Sequence, residues 1–89
     1  MFAWDEHNSD HVRRNGIEPE DVEDAVLDPG RLGAPAYDRG IEKRWALLGT
    51  TESGRVLFVV YTARRGRIRV VTARDATRSE RRRYRMRGK

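Results

Sequence analysis

Arginines crowd one short stretch of this sequence, where Arg64, Arg65, Arg67, Arg69 and Arg74 fall within eleven positions, followed by Arg78, Arg81, Arg82, Arg83, Arg85 and Arg87. A guanidinium keeps its charge at any physiological pH, and its planar fork matches phosphate oxygens two at a time. In an extended segment, Arg67 and Arg69 share one face while Ile68 and Val70 take the other. Binding a polyanion needs no more than this. Cleaving RNA without a metal needs a base for the 2′-hydroxyl proton, cations around the phosphate in the transition state, and an acid for the leaving 5′-oxygen. His11 can serve as acid or base, because histidine ordinarily titrates near neutral pH. Tyr84 can hydrogen-bond a phosphate or stack on a base, and Asp75 and Glu80 can orient arginines or act as bases. Each has a structural alternative. Tyr84 can pack its ring on a sheet, Asp75 can be an arginine partner, and Glu80 can cap its own helix.

A metal centre is not expected. His7 and His11 have the i, i+4 spacing of zinc proteases, but Asn8 stands where the general-base glutamate would be and no third ligand is evident. With no cysteine there is neither a thiolate site nor a disulfide framework. No cofactor is anticipated.

The charge is divided along the chain. Residues 1–63 carry 7 basic and 12 acidic side chains, a net −5, whereas 64–89 carry 12 basic ones against Asp75 and Glu80, a net +10. Such asymmetry implies a polyanionic partner for the basic end, nucleic acid ahead of an anionic membrane surface. The bland reading is a solvated basic face. The longest apolar run, Val56 to Tyr61, is far short of the roughly 20 residues of a membrane span. The opening Met1-Phe2-Ala3-Trp4-Asp5 lacks the basic start and apolar stretch of a signal peptide, so a cytoplasmic protein with no membrane partner is expected. At 89 residues the chain has room for one domain with a thin core.

The elements that must carry these residues read as α+β. Phe2-Ala3-Trp4 suits a short strand, and Asp5 can cap a helix from Glu6 to Arg14 that Asn15-Gly16 closes, with Ile17 folding back on it. Pro19 begins a second helix whose Val22, Ala25 and Val26 form an apolar stripe, stopped by Asp28-Pro29-Gly30. Residues 28–41 read as one long connection. Three strands follow, Arg44 to Thr50, Val56 to Thr62 and Arg67 to Ala73, joined by Glu52-Ser53-Gly54 and Arg64-Arg65-Gly66 as an antiparallel meander. Every position from Val56 to Tyr61 is apolar, as expected of a strand buried on both faces or placed mid-sheet. Thr77 and Glu80 have the capping-box spacing for a last helix to about Arg87. The expectation is an antiparallel sheet of about four strands with two N-terminal helices and one C-terminal helix.

In this order the elements and their residues resemble the BrnT toxin family, ribonuclease components of type II toxin-antitoxin systems with a RelE-like fold. The resemblance rests on Phe2-x-Trp4-Asp5, Asn15-Gly16-Ile17, Asp28-Pro29 and Glu42-Lys43-Arg44. It is most specific in Gly54-Arg55-Val56-Leu57, Val60-Tyr61-Thr62-Ala63-Arg64, Arg67 through Thr77, Glu80 and Tyr84. It extends over nearly the whole chain, as a single toxin domain of residues 1–89. It implies an endoribonuclease acting on RNA, mRNA included, neutralised by a small BrnA-type antitoxin, with operator DNA bound only through the antitoxin complex. Arg64, Arg67, Arg69 and Arg74 are the positions onto which a basic active surface carries over. His11 and Tyr84 are the accompanying catalytic candidates, and Arg65, Arg78, Arg81 and Arg82 the RNA-binding ones. The chain departs from the family at Asn15, where histidine usually precedes the helix-ending glycine. Two other readings remain open, a non-catalytic nucleic-acid-binding module and a protein whose basic last helix docks an acidic partner.

Overall fold

Asp5 starts the first helix, α1 (Glu6–Arg14), by a reciprocal cap: its carboxylate accepts from the Asn8 amide at 3.0 Å, and the Asn8 side chain accepts from the Asp5 amide at 2.8 Å. The helix ends as its residues require. Gly16 takes a left-handed φ of 75°, which lets the Gly16 and Ile17 amides donate back to the Arg13 and Val12 carbonyls. That return puts Ile17 in the core, 1% exposed. Pro19 opens α2 (Pro19–Leu27), and its predicted stripe Val22, Ala25 and Val26 is buried.

The computed structural model describes residues 1–34 and 43–87. Its strands are β1 (Leu32–Ala34), β2 (Trp45–Thr50), β3 (Val56–Arg64) and β4 (Arg67–Asp75), antiparallel neighbours in chain order, and α3 (Arg78–Arg85) follows. Two expectations are corrected here. The fourth strand is not Phe2-Ala3-Trp4, which forms only one parallel bridge, Phe2 to Ile68, with Ala3 donating to the Ile68 carbonyl. It is β1, inside the stretch expected to be an unbroken connection; a three-residue strand whose middle residue is Gly33 has too little periodicity to be seen in sequence. Glu42, expected at the opening of the sheet, lies outside the described residues. The β3–β4 hairpin is longer than its sequence suggests, so Arg64 belongs to β3. The turn is Arg65-Gly66, with φ of 53° and 75°, the mirror-image geometry that two-residue hairpins favour.

The helices divide the sheet's faces unequally. On one face α1 and α2 pack Val12, Val22, Ala25 and Val26 against Leu47, Leu57, Val59, Val70 and Ala73, and such burial contributes roughly 1.5–3 kcal/mol per large aliphatic side chain. Gly49 makes the close approach of α2 possible, because a methyl group there would overlap the Ala25 carbonyl. The other face has a smaller cluster under α3, Leu48, Ala76 and Tyr84 with Leu32, Val56 and Phe58 at its margin. Of the two settings expected for β3 the structure has the mid-sheet one, between β2 and β4, without burial on both faces: Leu57 and Val59 are buried, whereas Val56, Phe58 and Val60 are only half-buried. That partly open face is where the arginines lie.

Candidate functional site

Directly paired residues of an antiparallel ladder point to the same side of the sheet. At the hairpin end the pairs are Arg64 with Arg67 and Thr62 with Arg69; farther along they are Val60 with Thr72 and Phe58 with Arg74. Strict alternation would have sent Arg74 to the face opposite Arg67 and Arg69. A register shift between Val60 and Tyr61 prevents this: their partners are Thr72 and Val70, so Val71 is an extra, unopposed residue on β4. The bulge resets the alternation. Arg64, Arg67, Arg69, Thr72 and Arg74 therefore share one face, and Phe58, Leu48 and Leu32 continue the row of Arg74 toward α3.

The arginines on this face are held differently. Arg74 is the most constrained: its two terminal nitrogens donate to the Glu80 carboxylate at 2.7 and 3.0 Å, and its guanidinium lies 4.3 Å over the Phe58 ring. Arg74 pulls the Glu80 carboxyl down to about 2, with help from the Thr77 amide and hydroxyl. Glu80 Oε1 thus accepts from both the Thr77 amide that it caps and Arg74, while Oε2 accepts from Arg74 alone. Arg69 donates to Asp5 at 2.8 Å, which ties β4 to the N-terminus of α1. The Asn8 amide and this arginine lower the Asp5 carboxyl. Arg64, Arg65 and Arg67 are exposed at the hairpin tip and make no ion pair among the described residues.

His11 comes to this face from the side. Asn8, His11 and Asn15 lie at i, i+3 and i+7 on α1, one stripe facing the outer edge of β4. Asn8 donates to the Val70 carbonyl at 3.3 Å and Asn15 to the Ala73 carbonyl at 2.7 Å, so two helix amides satisfy an edge that would otherwise lack a strand. Between them His11 Nε2 lies 2.9 Å from the Thr72 hydroxyl. Thr72 is the arginine-face residue between Arg69 and Arg74 along β4. The position where the resembled family has histidine is, in this chain, an edge anchor.

Tyr84 lies on the same side of the sheet but is buried in the cluster under α3 with Leu48 and Phe58. It is 7% exposed, its hydroxyl donates in a very short hydrogen bond to Asp28, and Arg87 lies 3.6 Å over its ring. Burial and the Asp28 carboxylate raise the Tyr84 hydroxyl. Burial alone would raise Asp28 as well, but Tyr84 and the Thr50 and Gly30 amides outweigh it and leave that carboxyl low. The placement matches the structural alternative named for Tyr84, a bond that locks α3 to the end of α2. Arg78 and Arg82 are exposed on α3, and Arg81 is half-turned inward with a hydrogen bond to the Ala76 carbonyl. Asp75 is an arginine partner, though of Arg55, which grips it with two nitrogens and also reaches the Gly16 carbonyl. Nothing in the spacing of Arg55 marks it for this role.

Among the described residues no three His, Asp or Glu side chains are grouped to hold a metal, and no helix is long and apolar enough to cross a membrane. The site brings together fixed guanidinium forks on a sheet face, exposed cations at the hairpin tip, and an imidazole at the edge. No curated protein matches the sequence. A family model described as "Ribonuclease toxin, BrnT, of type II toxin-antitoxin system" matches residues 4–80.

Proposed function

The chain belongs to the BrnT family of ribonuclease toxins of type II toxin-antitoxin systems, and from that premise we propose that it is a metal-independent endoribonuclease whose reaction centre is the arginine face of β3 and β4. The observation that carries this reading is the bulge at Val71, which brings Arg74 onto the face of Arg64, Arg67 and Arg69. Arg69 and Arg74 are prealigned by Asp5 and Glu80 and keep further N–H groups to offer, since each guanidinium has five. They stabilise the charge that builds on the phosphate as the 2′-oxygen attacks, and need little reorganisation to do so. Arg64, Arg65 and Arg67 capture the strand. His11 supplies one of the two proton transfers, at the 2′-hydroxyl or at the leaving 5′-oxygen.

The substrate in this reading is RNA, mRNA in the cell. The protein partner is a small antitoxin of the BrnA type, through which alone the complex reaches operator DNA. Exposed arginines on α3, Arg78 and Arg82 among them, add long-range attraction for the RNA. The test is incubation of purified protein with a defined RNA in EDTA. Cleavage leaving a 5′-hydroxyl on the downstream fragment, and none when the 2′-hydroxyl at the cut position is replaced by hydrogen, is the expected result. Intact RNA, or cleavage only on adding a divalent cation, would contradict the proposal.

A further inference from the structure

Thr72 pairs with Val60 across the β3–β4 ladder, and its hydroxyl is engaged by His11. The contact, 2.9 Å from Oγ1 to Nε2, joins an imidazole at the edge of the arginine face to the residue between Arg69 and Arg74. It is not an accident of a loose side chain. Asn8 and Asn15 fasten α1 to the Val70 and Ala73 carbonyls on either side of it, and Asp5 fastens the start of the helix to Arg69. The Val71 bulge turns Thr72 to the arginine face, so helix and strand each bring one half of the pair.

We propose that Thr72 is the positioning residue that holds the His11 imidazole at the arginine face as its proton-transfer group. This deepens the reading of that face as a ribonuclease centre and rests on it. A threonine suits the task because its hydroxyl can accept from Nε2–H. Nε2–H donates to it in the neutral ring and in the imidazolium alike, so the ring stays in place while a proton is taken up or given off at the other nitrogen. The Nδ1 atom is then the nitrogen that exchanges a proton with RNA. A carboxylate in the same place would favour the charged ring, and a valine would hold neither form.

The variants are Thr72→Val, which keeps the β-branched shape suited to a strand, and Thr72→Ser, which restores the hydroxyl. Two readouts are taken. The first is the pair of imidazole ¹⁵N chemical shifts of His11 in the neutral ring, which report the tautomer without any catalysis. One tautomer should dominate in the wild type, Thr72→Val should move the ring toward a mixture, and Thr72→Ser should return it. The second is RNA cleavage. Thr72→Val should lower the rate at saturating RNA by roughly 10- to 100-fold, a part of the 10²–10⁴ that general acid–base catalysis contributes. KM should stay within about twofold, and the substitution should have no further effect in a His11→Ala background. Unchanged ring shifts with an unchanged rate would overturn the proposal, as would an equal loss of rate with and without His11. A wild type that leaves RNA intact refutes the ribonuclease reading itself, and the ring shifts then decide the Thr72–His11 pairing alone.

Discussion

Replacing Glu80 with glutamine isolates the ion pair that fixes Arg74. Glutamine at this position keeps the capping capacity of α3 and the side-chain length but removes the charge. The Glu80 carboxyl moves from 4.5 to about 2 on folding, chiefly through Arg74. At about 1.36 kcal/mol per unit, that change sets a ceiling of roughly 3 kcal/mol. The Arg74 side chain is 42% exposed, against 18% for Glu80, so solvent screens the pair and about 1–2 kcal/mol is the expected contribution. The folded carboxyl is the stronger acid, so its stabilisation is complete above the unfolded value of 4.5 and disappears as pH falls toward 2. At pH 7, Glu80→Gln should unfold at lower urea concentration with an unchanged m-value, and its Tm should be roughly 5–15 °C lower, as expected of a domain this size. The gap from wild type should shrink between pH 4.5 and pH 2. Asp5, Asp28 and Asp75 are also held low, but they are common to both proteins and cancel in the difference. Urea titrations by circular dichroism across pH 2–7 provide the measurement. A gap of constant size, or none at pH 7, would show that Glu80 contributes packing or capping rather than charge, and would remove Arg74 from the set of prealigned groups.

Tyr84→Phe should cost about 1.5–3 kcal/mol in the same titrations, because Asp28 loses a hydrogen bond to a buried carboxylate while keeping the Thr50 and Gly30 amides; a loss below about 0.5 kcal/mol would deny the lock between α3 and α2. Gly49→Ala should destabilise severely, by several kcal/mol or to the point of not folding, since the added methyl meets backbone rather than a flexible side chain; a normal melting curve would mean that α2 can move off β2. Arg64→Ala and Arg67→Ala together should weaken RNA binding and flatten its salt dependence by roughly 0.7 for each phosphate no longer neutralised, with the rate at saturating RNA nearly unchanged. An unaltered salt slope in filter-binding assays would remove the hairpin tip from the RNA path.

Most of the scaffold is readable because its signals are local. The Asp5 cap, the Asn15-Gly16 stop, the Pro19 start, the Thr77–Glu80 box and the two hairpins need only their own few residues, and all appear where expected save that the β3–β4 turn is one residue shorter. What escapes depends on partners distant in sequence. Leu32–Ala34 is a strand only because β2 is there to pair with it. The roles of Asn8, Asn15 and Arg55 are set by carbonyls 39 to 62 positions away and, for Arg55, by the Asp75 carboxylate as well, and polar residues on an amphipathic helix look like solvent-facing ones. The site is half legible. Arg67 and Arg69 sharing a face follows from period two, but the face of Arg74 does not, and the one hint is parity, odd before the Val70-Val71 pair and even after it. Tyr84 defeats a reading from sequence because a tyrosine one turn past Glu80 fits a site and a core equally well until Asp28 is seen beneath it.

Single-turnover cleavage of a short RNA at saturating protein tests the central claim most directly, because it separates the chemical step from capture. The arginine face as reaction centre requires Arg69→Ala and Arg74→Ala, each verified as folded, to lose about 10²-fold or more, the usual effect of deleting one transition-state donor. It requires Arg78→Ala and Arg82→Ala on α3 to keep the wild-type rate. Equal rates for all four variants, or a loss confined to the α3 pair, would contradict it.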